Sequence, residues 1–237
     1  DFGHHTAEPP TMSHAGYAQG LIWYSFLTGD PAGIEGARGI AEWVLRGIAP
    51  EVNVGRMERT IGHPLTTLND VYDATGDERY LHGAARLMDW VFKWEHPGRG
   101  GFPAIITEKP AIYAGSPFSS GLLFSAIMKF NSWAGRPEID ALLERTGCHL
   151  LTDMWRPPAD IIFKGGLGHG PMWIVSHLRL MSHLHARTGN PLFLVVPREA
   201  LNAALGDGSG AFGTRTTGLV FNYVPWFLAE LRRQGSP

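Results

Sequence analysis

Apolar side chains recur every three to four residues through most of the chain, the spacing of helices that bury one face. Tyr17, Leu21, Tyr24 and Leu27 form the first stripe, and Ile34, Ala37, Ala41, Val44 and Ile48 the second. Leu65, Leu68, Val71 and Tyr72, then Leu81, Ala84, Leu87, Met88 and Val91, repeat the arrangement. A short polar turn separates the members of each pair, Leu27-Thr28-Gly29-Asp30 in the first and Ala74-Thr75-Gly76-Asp77 in the second. Two more turns of this kind follow, Trp133-Ala134-Gly135-Arg136 and Arg187-Thr188-Gly189-Asn190. In each, glycine stands where a helix ends in the left-handed conformation, and Asp30, Asp77 or Asn190 can begin the next helix. Pro31, Pro137 and Pro191 fall near the first helical position, which needs no N–H. The pattern predicts four helix–turn–helix units, the third from about Ser119 to Trp155 and the fourth from Pro171 to about Leu205. A last helix is expected around Leu219 to Arg232.

The turns lie about 47 to 59 residues apart, longer than the common helical repeats. Two inserts account for the extra length. Arg99 to Tyr113 and Pro157 to Gly170 mix Gly, Pro and β-branched residues and read as short extended segments or hairpins. No charge-rich or low-complexity linker interrupts the chain, so residues 1–237 are expected to form one domain. The predicted fold class is all-α: antiparallel helix hairpins side by side in a curved layer, the first helix of each pair inside and the second outside. The loops leading into the inner helices then gather at one rim.

Composition narrows the function classes. A 44% hydrophobic and 18% charged content is that of an ordinary globular protein, and no apolar run is long enough to span a bilayer. With a net charge of −2 and scattered Lys and Arg, the footprint of a nucleic-acid binder is missing. The lone Cys148 allows no internal disulfide and no cysteine-based zinc site, and in its apolar helical stretch it is expected to behave as a small hydrophobe. The chain begins at Asp1 without a signal-peptide pattern, and the expectation is a processed or excised piece of a longer protein.

The predicted lead-ins to the inner helices are rich in groups that bind or move protons. The first carries His4, His5, Glu8 and His14; the second Arg56, Glu58, Arg59 and His63; the third Tyr113, Ser116, Ser119 and Ser120; the fourth Lys164, His169, Trp173 and His177. Arg59, His63 and Asp70 stand at i, i+4 and i+11 and share one helix face, polar where a packed helix is usually apolar. Helix capping and satisfaction of buried carbonyls are the competing account of these three.

Several other chemistries find no support. His4 and His5 are adjacent and point apart, whereas a metal site needs three or four converging ligands, so no metal or cofactor is predicted. His177, His183 and His185 lack the HExxH spacing and read as surface or core-edge residues. The Gly165–Gly170 run has no phosphate-loop order, and no GxSxG elbow is present. The tryptophans sit mostly at core spacing; Trp173, after a Gly-Pro-rich lead-in, is the candidate platform for a sugar ring.

The stretch HHTAEPPTMSHAGYAQGLIWYSFLTGDP, with IEGARGIAEWVL and RTIGHPLTTLNDVYDATGDERYLHGAARLMDWV, resembles the α/α-toroid domain of secreted polysaccharide-degrading enzymes. The likeness is to exo-acting rhamnogalacturonan lyases and their relatives, over roughly the first hundred residues. Such rings hold six hairpins; about four and a half are legible here, which implies an incomplete or open ring. The resemblance implies a secreted or periplasmic polysaccharide lyase that cleaves a uronic-acid-containing glycan by β-elimination. Its partners would be a polysaccharide or oligosaccharide and further domains of a longer chain, with neither nucleic acid nor membrane.

That reaction needs a base for the C5 proton, a group to neutralise the uronate, and an acid for the leaving oxygen. His63 or His14 suits the base, Arg59 the uronate, and Tyr113 the acid, while Trp173, His169, His5 and Asp70 would bind the sugar. Two alternatives use the same scaffold. A glycoside hydrolase would draw its two carboxyl groups from Glu8, Glu58, Asp70 and Asp160. A noncatalytic domain would only bind glycan or support a neighbour.

Overall fold

The computed structural model describes residues 17–48, 58–96, 98, 100–102, 104–108, 111–114, 117–157, 160–163, 168–169, 171–206 and 214–235. Nine α-helices are found among them: α1 (Gln19–Thr28), α2 (Ala32–Gly47), α3 (Glu58–Thr75), α4 (Glu78–Trp94), α5 (Pro117–Ala134), α6 (Pro137–His149), α7 (Leu178–Thr188), α8 (Leu192–Gly206) and α9 (Thr214–Arg233). The fold is all-α, with short antiparallel strands inserted where the Gly- and Pro-rich segments predict them. β1 (Ala104–Glu108) pairs with β2 (Ala111–Ala114), and β3 (Trp155–Arg156), β4 (Asp160–Phe163) and β5 (Gly168–His169) form a second small sheet. A turn of π-helix, Leu150–Met154, and a 3-10 segment, Pro171–His177, complete the order.

All four predicted turns are present, and one hydrogen bond is common to them all. Gly29, Gly76, Gly135 and Gly189 have φ of 75°, 67°, 59° and 68°, the left-handed region that L side chains avoid. Each glycine N–H reaches back to a carbonyl four residues earlier, at 2.7–2.9 Å. Asp30 Oδ1 then accepts from the N–H of Ala32 at 2.9 Å, Asp77 Oδ1 from Arg79 at 3.1 Å and Asn190 Oδ1 from Leu192 at 3.0 Å. The third turn has no acid after its glycine, and Asn131 Oδ1 instead accepts from the N–H of Arg136 at 2.8 Å.

Two compact units are found, and each is described by itself: Asp1–Trp94 with Ala126–Arg136, and Glu95–Ser125 with Pro137–Pro237. In the first, α1 packs on α2 and α3, and α3 on α2 and α4. The core is Ala37, Ala41, Val44, Leu65, Leu68, Val71, Ala84, Leu87 and Met88, the predicted faces of α2, α3 and α4. Helix α3 is buried almost all round from Ile61 to Val71. Its contacts with the last half of α5 advance together along both helices: Asn69 with Ala126, Asp70 with Lys129, Tyr72 with Trp133. The two helices therefore run parallel.

Helix α1 overturns its predicted register. Tyr17, Leu21, Tyr24 and Leu27 are exposed, Leu27 by 85%, and Ala18, Ile22 and Ser25 face the core. The cause is close approach: a Cβ on Gly33 of α2 would collide with Leu21 O and Ser25 Oγ, so only small side chains fit between the helices. Ser25 Oγ also donates to Asp30 O and accepts from the N–H of Ile34, at 2.5 and 2.9 Å, joining α1 to α2 across the turn. The large side chains are left outside, Trp23 (57% exposed) among them.

In the second unit α7 packs on α8 and α9, and Gly147 of α6 lies against Leu184 and Phe193. Glu95, 9% exposed, takes a two-pronged ion pair from Arg145 at 2.8 and 2.7 Å. Cys148 is exposed and packs with no apolar face: α6 buries Ile139, Leu142, Leu143, Thr146 and Gly147, and Cys148 falls on the opposite side with Glu144.

The packing of α1 predicts an asymmetry between two glycines of α2. Gly33→Ala should destabilise the chain by about 1–3 kcal/mol by forcing α1 outward. Gly39→Ala, where an added methyl meets open space, should be neutral or stabilise by up to about 1 kcal/mol. Thermal denaturation followed by circular dichroism reads both.

Candidate functional site

The first turn of α3 places Arg59 and His63 one above the other, and the start of α1 brings Tyr17 to them. Tyr17 Oη lies 3.3 Å from His63 Nε2, with the rings edge to face at 4.9 Å between centroids. His63 is 7% exposed and Tyr17 is 67% exposed, so the phenol is the member of the pair that meets solvent. Burial of the hydroxyl end raises the Tyr17 pKa, and the positive charge of Arg59 opposes that rise. The Nε of Arg59 is buried with no hydrogen-bond partner among the described residues. A phenol against an imidazole, within electrostatic reach of a cation, can relay a proton.

Asp70 shares the face of Arg59 and His63, about 10 Å along the axis from His63 at ~1.5 Å per residue. It is buried, and its Oδ1 accepts from Lys129 Nζ at 2.7 Å, while Asp73 Oδ2 pairs with the same ammonium at 3.1 Å. Lys129 also lies over the Trp133 ring, 5.4 Å from its centroid, and Trp133 meets Tyr72 edge to face. Burial raises the Asp70 pKa against the pull of Lys129. Asp70 is thus a strut between α3 and α5, and its buried Oδ2 has no hydrogen-bond partner among the described residues.

The other predicted site residues are placed as follows. His5 and His14 lie outside the described residues. Tyr113 is in β2, opposite Ile105 of β1; His169 is in β5, opposite Ile162 of β4; Trp173 is in the 3-10 segment that leads into α7. All three belong to the second unit. The structure therefore joins Arg59 and His63 and adds Tyr17, which was read only as part of an apolar stripe. The two partners stand 46 residues apart, and nothing local in the sequence pairs them.

The second unit holds two buried histidine pairs. His177 Nε2 lies 2.9 Å from Ser120 Oγ and Nδ1 3.3 Å from Ser176 Oγ; His185 Nδ1 lies 2.9 Å from Glu230 Oε1. His177 is 0% and His185 7% exposed, which corrects their reading as surface or core-edge residues. Their partners are 57 and 45 residues away and invisible to local spacing. Full burial closes the Ser120–His177 pair to a substrate, and we read both pairs as core hydrogen bonds. Among the described residues no group of three metal-ligating side chains converges, and no helix is long and apolar enough to cross a membrane.

No protein-family model matches the chain, and no curated protein is similar to it.

The strut makes a pH-dependent prediction. Lys129→Ala leaves Asp70 buried beside Asp73 without its cation and should cost about 3 kcal/mol or more at neutral pH. A carboxyl whose folded pKa is raised loses stability as pH climbs from its ordinary 3.8 through the folded value. The deficit of the variant should therefore shrink as Asp70 protonates on acidification. Urea denaturation across that range measures it, and a deficit independent of pH would exclude Asp70 as its source.

Proposed function

We propose that the chain is a carbohydrate-active domain, an incomplete or open α/α toroid, that cleaves a uronic-acid-containing glycan by β-elimination. Three features support the toroid: four repeated turns, hairpins packed on hairpins, and parallel first helices in α3 and α5. The observation that carries the chemistry is the Tyr17 Oη to His63 Nε2 contact at 3.3 Å beside Arg59.

In this reading Arg59 pairs with the uronate and offsets the charge that grows as C5 loses its proton. His63 is too deep to touch the sugar and acts through Tyr17. The phenol oxygen takes the C5 proton as its own proton passes to His63 Nε2. The electron pair at C5 forms the C4–C5 double bond as the C4–O4 bond breaks. Tyr17 then gives its proton to O4, and His63 returns the first proton to Tyr17, restoring both groups. Tyr113, the acid named from the sequence, belongs to the second unit and is left out of this arrangement. Trp173 and His169 are proposed as sugar contacts of the second unit by itself, and His5 and His14 are kept from the sequence alone.

Hydrolysis on the same scaffold is less well supported. Glu58 and Asp70 are twelve residues apart on α3, about 18 Å along the axis. Paired glycosidase carboxyls stand about 5–9.5 Å apart, and Asp70 is held by Lys129.

The test is incubation of the chain with pectic and other uronate-rich polysaccharides, following ultraviolet absorbance of the new double bond beside release of reducing ends. Absorbance should rise with the native chain and fall at least about 100-fold in kcat/KM for Tyr17→Phe and His63→Ala. Arg59→Ala should act mainly on uronate-bearing substrates, and Tyr113→Phe should leave elimination intact. Reducing ends without absorbance, or full turnover by His63→Ala, would overturn the assignment.

A further inference from the structure

The outer face of α1 has no counterpart in the proposed chemistry. At about 100° per residue, Gly20, Trp23, Tyr24 and Leu27 form one stripe directly opposite the buried Ala18, Ile22 and Ser25. Trp23 is 57% exposed, Tyr24 46% and Leu27 85%, with Phe26 at 66% on the flank. Residues 17–29 contain no Lys, Arg, Asp or Glu. The helix is apolar all round, as helices covered on both sides are.

We propose that this face is covered by the same face of a second copy of the chain, two α1 helices crossing antiparallel about a dyad between Trp23 and Tyr24. Three observations favour that occupant. A dyad at this point sets Gly20 of one copy against Leu27 of the other and Trp23 against Tyr24, a knob facing a hole and an aromatic pair facing itself. Gly20 is the hole: it has an ordinary helical backbone, and a Cβ there would meet nothing within 4 Å, so neither turn geometry nor packing inside the chain calls for glycine. The stripe itself carries no charge that would repel its copy, and the nearest carboxylate, Asp30, accepts from Tyr24 Oη at 2.9 Å at its edge. The area is also adequate. At ~150–250 Å² per aromatic side chain, the exposed fractions of Trp23, Tyr24 and Phe26 with Leu21 and Leu27 leave roughly 500 Å². Two such faces bury about 1,000 Å² in total, the lower bound for a specific interface, and a patch of this size on one chain is often functional.

Sedimentation velocity on the full chain from nanomolar to high-micromolar concentration tests this, with helicity by circular dichroism as the control for folding. The native chain should pass from monomer to dimer and stop there. Leu27→Asp and Gly20→Leu, both directed into solvent within one chain, should keep native helicity and weaken the dimer at least about 100-fold. In a Cys148→Ser background, Gly20→Cys with Leu27→Cys should cross-link two chains on oxidation, and either cysteine alone should not. A chain that stays monomeric throughout, assembles beyond two copies, or dimerises as well with Leu27→Asp would overturn the proposal.

Discussion

The Thr-Gly-Asp/Asn turn is the constraint on which the helical layout depends. A left-handed glycine ends one helix, the next acceptor starts another two residues on, and the chain reverses within three or four residues. The threonine before the glycine tightens it: Thr28, Thr75 and Thr188 each donate back to a carbonyl four residues earlier and accept the N–H of the residue after the glycine. So short a link leaves the two helices of a hairpin little choice but to pack antiparallel. Arg136 shows which part is indispensable, since the third turn keeps its glycine while the acceptor comes from Asn131.

With the hairpins fixed, α3 carries the tension between packing and chemistry. It is buried almost all round, yet Glu58, His63, Thr67, Asn69 and Asp70 are among its buried residues. A buried carboxylate costs several kcal/mol unless it is paired. Asp70 meets that cost through Lys129, and Asn69 through the carbonyl of Ala126. These directional contacts fix the register of α3 against α5, which apolar packing alone would hold less tightly. Arg59 is different, with a buried Nε left without a protein partner at the end nearest Tyr17.

How much of this could be read from the sequence follows from the range of each interaction. The turns were legible because glycine, acceptor and proline act within three residues. The faces of α2, α3 and α4 were legible because large apolar residues at helical spacing were also the buried ones. The same rule misplaced α1, where Gly33 brings two backbones so close that Ala18 and Ser25 face inward and the aromatics outward. Grouping Arg59 with His63 needed only one helix period. Tyr17, Lys129, Ser120 and Glu230 could not be joined to their partners, which lie 45 to 59 residues away and meet only in three dimensions.

The inversion of α1 has a consequence for chemistry as well as packing. Had Tyr17 faced the core, as its apolar stripe suggested, its hydroxyl would need a satisfied interior partner and would be closed to a ligand. Facing outward, it stays two-thirds exposed while its oxygen reaches a histidine that is almost wholly buried. An imidazole in that position can influence a bound molecule only through the phenol. The small residues that draw α1 onto α2 thereby help to fix where Tyr17, just ahead of α1, meets His63, and helix packing becomes part of how the pair is positioned.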